Sequence, residues 1–407
     1  MTRAMTLRFR VGEFDLPERV PWSRIEPGIV GRPEHLALAR TVGRQSIVLL
    51  KNEPSPVRRP AGPMLPLDRR RLESIAVLGP FASLIYFGTY ICDPAAPPVS
   101  LVEGVRAQVG QHVLVRTAPW YDTDEQDRRK REKNPTLDRE ACLQAALRAA
   151  ADADVVVLAM GLWIKHEFEG KDRVDLNLPD DQQAFVEKIV AVNPAAVVVL
   201  FNGTPMTVNW IAEHVPAVVE AWLPGEQGGH AVADVLFGEE NPAGRLPMTF
   251  YASLTNLPPL AEHELAGGRT YMYLKDPPLW PFGYGLSYTR FQYRNLRLEP
   301  DRTGTNSTVR VTFDVANTGD RDGDEVAQLY VRDVAASVVV PQRQLRGFRR
   351  VRVKRGETAT ITLPVAVADL GFWDEQRHGW KIEPGQFAVE VGPSSADLPL
   401  RGSFTVE

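Results

Sequence analysis

From Ser74 onward the chain repeats one hydrophobic rhythm: a short apolar run rich in β-branched residues, a glycine or proline turn, then a stretch with helical spacing. The runs are SIAVLG (74–79), HVLVRT (112–117), VVVLAMG (155–161), AVVVLFNG (196–203) and AVVEAW (217–222). The third and fourth are apolar almost throughout, which predicts strands covered on both faces. Helical spacing falls around 101–109, 138–151, 180–192 and 228–237, with Asp138 and Asp180 where N-terminal caps belong. The pattern predicts an α/β domain over 51–250, a mainly parallel sheet sandwiched between helices.

From about Thr308 the period changes to two, in TVRVTFDVAN (308–317), EVAQLYVRD (325–333), TATITLPVAV (358–367) and QFAVEVG (386–392). Turn clusters such as NTGDRDGD (317–324) separate these runs, so 308–407 reads as an antiparallel β-sandwich. The stretch 251–307 is rich in proline, glycine and aromatics, too apolar for a floppy tether, and is expected to pack across both domains. Residues 1–50 form an irregular lead-in until a helix around 35–46 and the apolar run IVLL (47–50). No internal repeat or low-complexity tract is present.

A chain of 407 residues, 44% hydrophobic and 24% charged, has the composition of an ordinary globular protein with two or three domains. Forty-seven basic against fifty-one acidic residues leave a net charge of −4, no field for a nucleic-acid backbone. The basic run 128–133 follows Asp122, Asp124, Glu125 and Asp127 and reads as a solvated loop. Cys92 and Cys142 suggest neither a disulfide framework nor a thiolate metal site. No segment reaches the roughly 18 apolar residues of a membrane helix, and the first twenty residues lack the apolar core of a leader. As written, the chain is expected to begin in the cytoplasm.

The stretch richest in chemistry is HEFEGKDRVDLNLP (166–179), directly after the third strand, where open α/β sheets gather their ligands. Glu167 and Glu169 lie two apart, and an extended backbone would point them the same way. A carboxyl there can act as a general acid if burial or a second carboxylate raises its pKa. On residue types alone the bland reading prevails: solvated glutamates and an Asp172–Arg173 ion pair. His166 has no HExxH spacing around it, so no metal is expected. No cofactor is expected either, since GxGxxG at a helix start, GxxxxGK[ST] and GxSxG are all absent. The glycines of NGTP (202–205) and PGEQGG (224–229) read as tight turns, and the aromatics Trp280, Phe282, Tyr284 and Tyr288 as a packed seam before a sugar platform.

Taken in order, several segments resemble glycoside hydrolase family 3, the β-glucosidases and β-xylosidases. They are HLALARTVGRQSIVLLKNE (35–53), EGKDRVDLNLPDDQ (169–182), NGTPMTVNW (202–210), AWLPGEQGGHAVADVLFGEENPAGRLPMTF (221–250), PFGYGLSYTRF (281–291) and VANTGDRDGDEVAQLYV (315–331). The resemblance implies an α/β sandwich followed by a fibronectin type III-like module. It also implies retaining hydrolysis of β-glycosides with Glu169 as general acid/base and Glu167 in reserve, while Asp172 and Arg173 shape the loop. Family members carry the nucleophilic aspartate on an N-terminal (β/α)8 barrel of about 250 residues. Here about thirty residues precede the HLALAR segment, so no aspartate of this chain takes that role by match. FGTYICDPAAPPVSLVEGV (87–105) and GGRTYMYLKDPPLWPFGYG (267–285) lean toward the β-xylosidase branch.

Three readings stay open at this stage: one part of a split enzyme with a separate barrel-bearing chain, a noncatalytic carbohydrate-binding or assembly module, or a truncated gene product. The expected ligand is a β-linked oligosaccharide or glycoside; a homo-oligomer is compatible, and neither nucleic acid nor membrane is an expected partner.

Overall fold

A computed structural model describes residues 1–55, 62–91, 94, 96–121, 137–170 and 172–407. Cys92 and the charged run 128–133 lie outside them. All five predicted apolar runs are strands of one sheet: β2 (Ser74–Leu78), β3 (Leu114–Thr117), β4 (Val155–Gly161), β5 (Ala196–Phe201) and β6 (Ala217–Glu220). A sixth strand, β1 (Val48–Asn52), pairs antiparallel with β6, and the order is β1-β6-β5-β4-β2-β3. The IVLL run expected to close the lead-in therefore belongs to the sheet, which starts before residue 51.

Alternation decides which helices cover which face. Val155, Val157, Val197 and Val199 pack with helices Leu101–Val109 and Gly228–Leu236. Val156, Leu158, Val198 and Leu200 pack with Arg139–Ala151, Gln182–Val192 and Asn209–His214. Ser100 and Glu103 form a capping box at the first of these helices, and Asp138 caps another by accepting from the Ala141 amide. Helices 101–109 and 228–236 approach so closely that a Cβ on Gly104 would lie 2.0 Å from the Gly229 carbonyl oxygen. The Gly228–Gly229 pair, read above as a turn, thus opens a helix and permits this contact.

The second domain is a sandwich of a five-stranded and a three-stranded sheet. The four predicted strands are present, joined by Phe291–Glu299, Arg302–Thr303, Gln344–Val353 and Leu400–Val406. Phe291–Glu299 pairs with Thr308–Asn317, so the sandwich begins inside the stretch assigned to the connector. A small hairpin, Phe372–Asp374 and Gly379–Lys381, is stapled by Trp373 opposite Trp380.

The rest of the connector contacts both domains. Phe250 and Trp280 exchange backbone hydrogen bonds of 2.9 and 3.2 Å. Tyr284 and Tyr288 donate to the carbonyls of Leu50 and Val235. Phe282 stacks on Tyr271, which meets Tyr330 of the sandwich edge-on. Arg245 and Glu325 form an ion pair of 2.8 Å across the seam, their side chains 8% and 2% exposed. Tyr293 donates to the other Glu325 oxygen at 2.6 Å. The four aromatics form a packed seam.

Candidate active site

Counted from β2, the parallel strands follow the order 2-1-3-4-5, which reverses between β2 and β4. The carboxyl ends of strands flanking such a reversal are where open α/β sheets form their crevice. The loop after β4 carries Glu167 and Glu169, and the loop after β2 carries Tyr86 and Tyr90.

The β4 loop is pinned at both ends by one side chain. Gln182, fully buried at the start of its helix, accepts from the Gly161 amide at 2.8 Å and donates to the Gly161 carbonyl at 2.9 Å. Residue 161 must be glycine, since a Cβ there would meet the Phe201 carbonyl oxygen at 1.9 Å. Trp163 then enters the core edge-on to Phe81. His166 packs against Trp163 and lies 3.1 Å from Asp180. Asp180, at φ 55°, therefore ties down the loop and does not cap the helix, whose N-cap position is Asp181.

The two loop glutamates take different partners. Glu167 is half-buried and satisfied: Oε1 accepts from the Gly203 amide at 2.9 Å and Oε2 from the Thr204 hydroxyl at 2.7 Å. The NGTP turn thus presents its amide to a carboxylate of the chain itself. Glu169 is exposed and accepts from the Tyr90 hydroxyl, a bond that, with burial adding to it, raises the Tyr90 pKa and keeps the phenol protonated as a donor.

No ion pair joins Asp172 and Arg173 among the described residues. Asp172 faces solvent, whereas Arg173 turns inward and donates to the Pro205 carbonyl at 2.5 Å. Burial lowers the Arg173 pKa, while Glu167 and Asp175 pull it back up. Arg173 so braces the NGTP turn from the other side.

A cleft of about 810 Å³ opens here, lined by Tyr86, Glu167, Arg173, Thr204, Leu257 and Leu260 among others. Glu169 stands outside its lining. Beneath the cleft floor lies Glu220, the last residue of β6 and 0% exposed. Sequence reasoning passed over Glu220, Asn202 and Tyr90. A lone acid ending a strand otherwise buried on both faces, AVVE, was the available signal for the first.

Residues 47–288 match the glycosyl hydrolase family 3 C-terminal domain. The chain belongs to that family. Residues 325–395 match a fibronectin type III-like domain. The whole chain is 35% identical to a beta-xylosidase of Formosa agariphila, covering 55% of it. A thermostable beta-glucosidase B of Acetivibrio thermocellus is 34% identical over 91% of the chain and 48% of the relative. The crystal structure of a GH3 beta-glucosidase from Bifidobacterium adolescentis superposes with a TM-score of 0.80 at 31% identity, over 94% of this chain and 55% of that one. The chain spans about half the length of the curated relatives it matches.

Proposed function

We propose that this chain forms the acid/base wall of a retaining β-glycosidase that removes terminal β-linked glucose or xylose. Glu169 delivers the proton, and the nucleophile is carried by a (β/α)8 barrel outside these 407 residues. The observation that supports Glu169 over Glu167 is their division of labour: Glu167 is held on both oxygens by the NGTP turn, while Glu169 is exposed and, among the described residues, hydrogen-bonded by Tyr90.

In this reading Glu169 protonates the departing glycosidic oxygen and then, as a carboxylate, takes the proton of the water that releases the sugar. The Tyr90 hydroxyl orients the carboxyl. Retention requires the nucleophile about 5–5.5 Å away. Covering the loop with the barrel brings that second carboxylate close and removes water, and both effects raise the pKa of an acid that must hold its proton.

The test is hydrolysis of aryl and alkyl β-glucosides and β-xylosides by these residues alone and joined to, or mixed with, the barrel. The chain alone has negligible activity and the combination turns over. Glu169→Ala lowers kcat by about 10²–10⁴ on alkyl glycosides. It slows nitrophenyl glycosides far less, and azide restores part of the loss. Robust turnover without the barrel, or an unaffected Glu169→Ala, overturns the reading. An effect confined to Glu167→Ala moves the role to Glu167.

A further inference from the structure

The carboxyl edge of the sheet buries an acid that the reaction does not consume. Glu220 is 0% exposed and, among the described residues, is met by amide donors alone: the Trp222 backbone N–H at 2.9 Å on Oε1 and Asn202 Nδ2 at 3.1 Å on Oε2. No lysine or arginine of the described residues contributes to its environment. Burying an ionised carboxyl without a cation is costly, so such a group keeps its proton or is replaced. Its two partners show what it does here.

Asn202 opens the turn that receives Glu167. The same Nδ2 that reaches Glu220 also donates to the Thr204 carbonyl at 3.0 Å, closing the turn whose Gly203 amide and Thr204 hydroxyl hold the Glu167 carboxylate. Trp222 sits at φ 57°, a left-handed conformation costly for a bulky residue. The hydrogen bond its backbone N–H donates to Glu220 fixes that bend, and the next residue, Leu223, lines the cleft.

We propose that Glu220 is a positioning residue for the acid/base loop. From beneath the cleft it ties the turn at 202–205, which anchors the loop through Glu167, to the bend at Trp222. The inference rests on reading Glu169 as the proton donor, since the loop it fixes is the one that carries that residue.

Hydrogen exchange of the 407-residue chain tests the tie without any activity. In Glu220→Leu, which leaves the Trp222 amide without its acceptor and takes one of two acceptors from Asn202, peptides covering 163–176 and 202–205 exchange at least about tenfold faster, while β4 and β5 keep their protection. Glu220→Gln, which keeps an acceptor for Trp222, stays close to the parent. Asn202→Ala cuts the tie from the other end and reads the same loosening should the leucine variant not fold. With the barrel supplied, Glu220→Leu lowers kcat on alkyl glycosides about tenfold or more with KM within about twofold, and loses less on nitrophenyl glycosides. Unchanged exchange at 163–176 in both Glu220→Leu and Asn202→Ala overturns the proposal. An active Glu169→Ala enzyme overturns the acid/base reading instead, with the exchange result still standing on its own.

Discussion

The molecule buries two glutamates at junctions, and it treats them differently. Glu325, 1% exposed at the seam between the domains, meets the Arg245 guanidinium and the Tyr293 hydroxyl. Glu220, 0% exposed under the cleft, meets only amides among the described residues. At the seam the charge is matched on the spot and the two domains become one surface. Under the site the carboxyl is left without a cation, and its hydrogen bonds run to turns that shape the loop above.

The contrast is broken most forcefully at the seam. Glu325→Ala leaves a buried arginine without its carboxylate and a buried phenol without its acceptor, and is expected to lower stability by about 3–5 kcal/mol in urea unfolding. Combining it with Arg245→Met removes the orphaned charge and regains much of the loss. A loss under about 1 kcal/mol would mean that water satisfies Arg245 and that the seam is not sealed.

At the site floor the matching experiment reads pH. Burial pushes the Glu220 carboxyl well above the ordinary carboxylate range; the Trp222 amide and Asn202 oppose the rise, and the nearby Glu167 charge adds to it. The folded state therefore holds a proton that the unfolded chain releases near pH 4.5. Stability is greatest below that value and falls as pH rises toward the folded pKa, by up to about 1.4 kcal/mol per pH unit for this one proton. Glu220→Gln deletes that slope and gains on the parent as pH rises. Parallel pH–stability curves for the two proteins would show that Glu220 ionises in the fold.

Both glutamates also mark how far the sequence could be read. The central strands were legible because each is short, β-branched and buried on both faces, as in VVVLAMG. Strand Val48–Asn52 was hidden because it leaves helix Pro33–Ser46 with one residue between them and no turn signal. Gln344–Val353 was hidden because four arginines in QLRGFRRVRV break the apolar alternation. In the site, Glu167, Glu169, Asp172 and Arg173 were visible because they are neighbours in sequence. Tyr90, Asn202 and Glu220 come from three other strand ends, and only the strand order brings them there.

A middle-sized effect separates close packing from charge. Gly104→Ala places a methyl 2.0 Å from a backbone oxygen of the facing helix, where no side chain can move aside. Thermal unfolding should show a loss of about 1–3 kcal/mol. The change lies on the sheet face covered by helix Gly228–Leu236, away from Glu220, so the pH slope should survive it.

The smallest expected effect tests the open side of the comparison. Val174, in the acid/base loop, is 92% exposed, and Phe168 and Leu260 nearby are exposed as well. Unlike the seam aromatics, Val174 buries almost none of its side chain within the chain, so Val174→Ser should shift stability by no more than about 0.5 kcal/mol. If the barrel covers this face, as the proposed function requires, the same substitution weakens association with a separately supplied barrel while leaving kcat at saturation unchanged. An apolar residue that costs nothing to the chain but something to the assembly is what a docking face predicts and a free surface does not. Equal association by parent and Val174→Ser would place the contact elsewhere and leave the loop face open to solvent.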